Sequence, residues 1–171
     1  MDGTLPRERL QDFTRNGPKA TPTFSAAEMQ RRLDAVRGVM AGAGIDAALF
    51  TSYHNINYYA DFLYCSFGRR YGLLVTHDAS TSISAGIDGG QPARRGFGAN
   101  VTYTDWRKDN WFHAVRTLTG GVRRLGIEFD HVTIDTLTLL KAEFPQMELV
   151  DVAAPAGRRR CRPRSRWRRR G

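Results

Sequence analysis

Short apolar runs alternating with helically spaced segments most narrow what this chain can fold into. Residues 45–50, 71–76, 81–85, 100–103, 124–128 and 148–152 read as strands, apolar or β-branched and bounded by turn chemistry. Their character suits strands covered on both faces. Between them lie helix signals. Ser25 is placed as an N-cap, Glu28 completes a capping box, and Phe24 faces Met29 as a hydrophobic staple. Met29, Leu33, Val36 and Met40 follow at helical spacing, with Arg31, Arg32, Asp34 and Arg37 on the wet side. Gly42 and Gly44 close that helix. Asp105 or Asp109 is expected to cap a second helix carrying Trp111, Phe112, Val115 and Leu118 and ending at Gly120 and Gly121. Thr133 starts a third with Leu137, Leu140 and Phe144, stopped by Pro145. The expected fold class is α/β: a mixed, largely parallel sheet of about six strands flanked by helices.

At 171 residues the chain supports one domain with a respectable core. Residues 1–22, broken by Pro6, Gly17, Pro18 and Pro22, read as a flexible N-terminal arm, and 23–154 as the α/β domain. Residues 155–171 form an Arg-rich tail expected to be disordered. The formal charge of +9 belongs to that tail, because residues 158–170 hold nine of the 26 basic residues and the remaining 17 balance 17 acidic ones. The tail's vocabulary of Arg, Gly, Pro, Ala, Cys and Trp uses G+C-rich codons, so a frameshift near residue 157 is one expectation. A segment that binds nucleic acid non-specifically is the other. No apolar run reaches the roughly 18 residues of a membrane span, and the N-terminus lacks an apolar signal-peptide core. The cytoplasm is the expected location.

Candidate chemistry concentrates in residues 50–71, which hold eight of the eighteen aromatic residues. Tyr58, Tyr59, Phe62 and Leu63 read as a short helix packed on the sheet. Tyr64-Cys65-Ser66-Phe67-Gly68-Arg69 is harder to place in a core. An aromatic ring, a glycine and a guanidinium in sequence suit a protruding tip that grips a small planar or anionic ligand. Asp88-Gly89-Gly90 lacks both the Lys-Ser/Thr of a phosphate loop and the spaced glycines of a dinucleotide site, so it reads as a tight turn before a short helix near Pro92. His54, His77, His113 and His131 are scattered, and Cys65 and Cys161 show no zinc spacing, so neither a metal nor a cofactor is expected. Cys65 and His54, eleven residues apart, carry no spacing that pairs a nucleophile with its base, so structural roles are expected for both.

Thr51-Ser-Tyr-His-Asn-Ile-Asn-Tyr-Tyr59 followed by Asp61-Phe-Leu-Tyr-Cys-Ser-Phe-Gly-Arg69 resembles the creatinases, the creatine amidinohydrolases. The similarity continues through residues 82–92, 103–106, 126–128 and 148–154, and covers roughly 16–154. The resemblance implies the N-terminal α/β domain shared with aminopeptidase P and prolidase. The resemblance also implies that the catalytic domain, with its acid–base histidine, is not part of this stretch, so no catalytic residue is expected in it. It further implies a homodimer in which this domain's loop reaches into the neighbouring subunit's active site, with Phe67 and Arg69 at the positions that bind creatine. Arg70 departs from the family, where a proline often follows the arginine. Two other readings stay open: a dimerisation module of the aminopeptidase P or prolidase type, and a basic nucleic-acid-binding protein acting through the tail.

Overall fold

A computed structural model describes residues 8–13, 17–62, 68–104, 106–107 and 109–152. In chain order the elements are β1 (Leu10–Gln11), α1 (Ala26–Ala43), β2 (Ala47–Phe50), α2 (Tyr53–Ala60), β3 (Gly72–Thr76) and β4 (Ser80–Ala85). A 3-10 turn over Gly86–Asp88 and a short α3 (Gln91–Arg95) follow, as the Asp88-Gly89-Gly90 turn signal predicts. Then come β5 (Ala99–Tyr103), α4 (Asn110–Leu118), β6 (Arg124–Ile127), α5 (Ile134–Glu143) and β7 (Glu148–Asp151).

The strands form one sheet in the order β1-β5-β4-β3-β2-β6-β7. It is mixed, as expected: β4–β5, β2–β6 and β6–β7 are parallel, whereas β1–β5, β2–β3 and β3–β4 are antiparallel. Helices supply the crossovers that parallel neighbours need, while β3 and β4 are joined by a tight turn in which the Thr76 N–H donates to the Ala79 carbonyl at 2.9 Å.

Strand periodicity explains why β2 is buried along its whole length. Ala48 and Phe50 belong to a core with Leu33, Val36, Met40 and Ile56 from α1 and α2. Ala47 and Leu49 belong to a second core with Trp111, Phe112, Val115 and Leu140 from α4 and α5. Alternate residues on one strand therefore serve opposite faces, which is the two-sided covering that uniformly apolar strands require.

The α1 caps fall where their chemistry predicts. Ser25 Oγ accepts the Glu28 N–H at 3.2 Å, and Gly44 ends the helix in the left-handed region. The reciprocal half of the capping box gives way to a stronger competitor. Glu28 accepts from Arg31 at 2.7 and 2.8 Å and from Arg32 at 2.8 Å, and hydrogen bonds first from Arg31, then from Arg32, hold its carboxyl at about 2. Arg32 corrects the sequence reading, because it is buried rather than on the wet side. Its guanidinium lies 4.0 Å from the Phe24 ring centroid and 4.5 Å from that of Tyr58, and donates to the Tyr58 carbonyl at 2.9 Å. Aromatic faces and a carbonyl replace water around the charge, tying α1 to α2. Arg37 is also drawn inward, donating to the Thr76 carbonyl at 3.0 Å.

The stretch read as an N-terminal arm contains the edge strand β1, whose Leu10 and Gln11 pair with Tyr103 and Thr102. Farther along, Lys19 Nζ donates to the Gly96 carbonyl at 2.8 Å, the Ala20 N–H to the Arg94 carbonyl at 2.9 Å, and the Thr23 N–H to Asp61 at 2.7 Å.

Gly98 permits the close approach of β4 and β5. Its φ is +86°, and a Cβ there would sit 2.5 Å from the Ser80 carbonyl oxygen. Backbone cannot rotate away as a side chain can. Gly98→Ala is expected to cost about 2–3 kcal/mol. Differential scanning calorimetry should register this as a fall of roughly 6–12 °C in Tm.

Candidate functional site

The parallel strands β2 and β6 end side by side, and β3 begins at the same edge of the sheet because it runs antiparallel to β2. Three connections therefore meet there: Thr51–Ser52 leading into α2, residues 68–71 leading into β3, and Glu128–Thr133 leading into α5. The carboxyl ends of strands in open α/β sheets are the usual place for ligands, since loops converge over them. Two adjoining clefts open at this edge. One, of about 190 Å³, is lined by Thr51, Arg69, Tyr71, His131 and Thr136 among others. The second, of about 360 Å³, adds Gly68, Tyr103, Arg107 and Asp135.

Arg69 is exposed and lines both clefts. Arg70, Arg107 and His131 share the clefts with it. Among the described residues the carboxylate lining the second cleft is Asp135, which accepts from Arg70 at 2.5 Å, and Arg107 stacks 4.5 Å from the Trp106 ring centroid. Among the described residues lining the second cleft, Arg69, Arg70 and Arg107 outnumber the carboxylate Asp135, so that surface favours anions. Guanidinium suits a planar carboxylate because its N–H groups match both oxygens at once. Trp111, 1 % exposed and edge-on to Phe112 at 4.9 Å, makes a firm floor. Thr133 caps α5 as predicted, its Oγ1 accepting the Thr136 N–H at 3.2 Å. Asp109 occupies the cap position of α4 but makes no side-chain cap bond; the buried Asn110 instead donates to the Thr104 carbonyl and hydroxyl at 2.9 and 2.7 Å.

Phe67, Cys65, Tyr64 and Leu63 lie outside the described residues, as does Asp105. His54 is exposed on α2. Of the aromatic group expected to pack on the sheet, Tyr59 meets Phe50 at 4.9 Å and Phe62 is buried just beyond the α2 C-cap, Asp61. His77 contacts the Ile45 carbonyl at 3.1 Å, while His131 stands in the β6–α5 connection. Among the described residues, no three of His, Cys, Asp and Glu gather as a metal site would need. No helix among them is long and apolar enough to cross a membrane.

The sequence reading missed Glu128 as the keystone of this edge. It is 2 % exposed. One carboxylate oxygen accepts the Thr51 N–H at 2.6 Å and the Ser52 N–H at 2.8 Å. The other accepts the Ser52 hydroxyl and the Asn55 amide, both at 2.5 Å. Burial alone would raise its pKa, but the hydrogen bonds from Ser52, Thr51 and Asn55 outweigh burial and hold it below the ordinary glutamate value. With two donors on each oxygen, this carboxylate is a staple between β6 and the start of α2, not a spare clamp for a cationic ligand. The available signals were a carboxylate directly after a buried strand and the Ser52-x-x-Asn55 cap pattern.

Comparison with known proteins agrees with this architecture. The profile of the Creatinase/Prolidase N-terminal domain matches residues 32–161. The chain is 51 % identical over 150 residues to a creatinase from Bacillus sp. (strain B-0618), a match covering 85 % of this chain and 36 % of that protein. It therefore spans little more than a third of that relative's length. A proline dipeptidase from Streptococcus pneumoniae TIGR4 superposes with a TM-score of 0.64 at 20 % identity, covering 71 % of this chain and 90 % of that one. The creatinase/prolidase N-terminal domain of an X-Pro dipeptidase from Streptococcus pyogenes gives 0.62 at 20 % identity, over 71 % and 92 % of the two chains. At that identity the dipeptidases attest the fold alone. The profile match over most of the described domain and the identity to a creatinase together place this chain in the Creatinase/Prolidase N-terminal domain family.

Proposed function

We propose that this chain is the N-terminal domain of a creatinase-type hydrolase, whose complete form adds water to creatine to give sarcosine and urea. In this reading the enzyme is a cytoplasmic homodimer. Arg69 and Phe67 form a finger that enters the neighbouring subunit's active site, Arg69 holding the substrate carboxylate and Phe67 shielding the N-methyl region. The observation that carries the reading is the 51 % identity to a creatinase, against 20 % to the two dipeptidases. The exposed, cationic setting of Arg69 supports it, since a group that serves another subunit must face outward.

The chain alone is expected to be inactive. Creatine hydrolysis needs an acid–base group beside a clamp for the guanidinium, and the buried carboxylate Glu128 is already saturated by Thr51, Ser52 and Asn55. Incubating the purified chain with creatine and measuring urea should give no release above buffer. Urea formation abolished by Arg69→Ala would overturn the inactivity and place chemistry within the domain. The likeness to dipeptidase N-terminal domains keeps a second reading in view, a module serving dimer contacts only.

A further inference from the structure

Arg70 is fastened from three elements. Its guanidinium donates to Asp135 on α5 at 2.5 Å and lies 5.3 Å from the Phe112 ring centroid on α4. Its carbonyl accepts the Tyr103 hydroxyl from β5 at 2.8 Å. The next residue, Tyr71, is buried and donates its hydroxyl to Asp88. On the other side of Arg69 stands Gly68, with φ +74° and, among the described residues, no neighbour within 4 Å of a Cβ position. Arg69 thus sits between a fixed post and a permissive hinge.

From this arrangement we infer that Arg70 is a positioning residue: its attachment to Asp135, Phe112 and Tyr103 fixes the backbone from which Arg69 projects. The inference rests on the reading that Arg69 meets the substrate carboxylate. A two-pronged guanidinium contact tolerates little angular error, and an arginine side chain has many rotamers to lose, so a fixed root narrows the search. Fold stability does not account for the pair. The Asp135 side chain is 72 % exposed, and ion pairs so open to water add little to stability. Orientation is the effect that solvent screening leaves intact, because Phe112 and the Tyr103 hydroxyl hold the same residue from the protein side.

The test uses the ¹⁵N-labelled full chain. In Arg70→Ala, Tm should stay within about 3 °C, while the amide order parameters of Gly68 and Arg69 fall from about 0.85 to below about 0.6. Asp135→Asn should move them the same way by less, because Phe112 still holds the Arg70 guanidinium. The charge-exchanged double variant Arg70→Asp with Asp135→Arg should regain order that each single exchange loses. Unchanged order at Arg69 in Arg70→Ala overturns the inference, and so does a double variant as loose as the singles. If Arg69 loosens as expected but Arg69→Ala leaves the creatine KM of a two-domain enzyme unaltered, the tether stands and the substrate reading falls.

Discussion

Arg69→Ala, placed in a two-domain enzyme that carries this domain, is expected to raise KM for creatine by roughly 30- to 800-fold. Truncating one side of a desolvated charged pair costs about 2–4 kcal/mol, and each 1.4 kcal/mol is about tenfold. The carboxylate of creatine lies away from the guanidino carbon that water attacks, so its grip is the same in the ground and transition states. The loss should therefore fall on KM, with kcat nearly unchanged. Arg69→Lys keeps the charge but loses the planar fork, and an intermediate rise of about tenfold is expected. Steady-state kinetics with urea detection measure both variants, and sedimentation equilibrium at the same concentrations reports the assembly. An unchanged KM with a weakened dimer would defeat the substrate reading and favour the module that serves contacts alone.

Glu128→Ala is the substitution expected to damage the fold most. Removing the carboxylate leaves the half-buried backbone N–H of Thr51 and the buried one of Ser52 without their acceptor. The Ser52 hydroxyl and Asn55 amide lose theirs as well. Unsatisfied buried donors cost about 1–3 kcal/mol each, and some will recover water through the neighbouring cleft, so a net loss of about 3–5 kcal/mol is expected. That is a large share of the 5–15 kcal/mol typical of a domain. The pH dependence has a definite sign. Since the folded-state pKa lies below the ordinary 4.5, the ionised carboxylate stabilises fully above about pH 4.5 and ceases to do so as pH falls through the depressed value. Urea unfolding at pH 7 and pH 4 should show the native protein losing stability toward acid, with Glu128→Gln flattening that slope. A loss below about 1 kcal/mol in Glu128→Ala would mean the edge holds together without its staple.

Much of the architecture was legible because it is written in local chemistry. Ser25 and Thr133 cap helices, Gly44 ends one, and the strand runs pair into the expected mixed sheet. The readings that changed depend on residues far apart in the chain. Arg32 looks solvated on a helical wheel and is buried only because Phe24 and Tyr58 enclose it. Leu10–Gln11 is too short to show a period and becomes a strand by docking on β5. Glu128 reaches partners 73 to 77 residues away, a separation that spacing cannot reveal. The chemistry of residues 64–69 suggests a ligand-gripping tip, but a creatine role for Arg69 comes only through resemblance, since an arginine beside a glycine is otherwise an ordinary loop feature. Its place in the cleft required knowing that β3 runs against β2.

Residues 63–67 are flanked in the sequence by two separately moored points. At one, the Ala60 carbonyl accepts from Phe97 at 2.6 Å; at the other, Arg70 and Tyr71 are held by Asp135 and Asp88. Phe97, Asp135 and Asp88, which supply these moorings, all lie outside the stretch they bracket. Substitution within residues 63–67 therefore leaves those three partners in place, and each anchor keeps its own donors and acceptors whatever side chains the stretch carries.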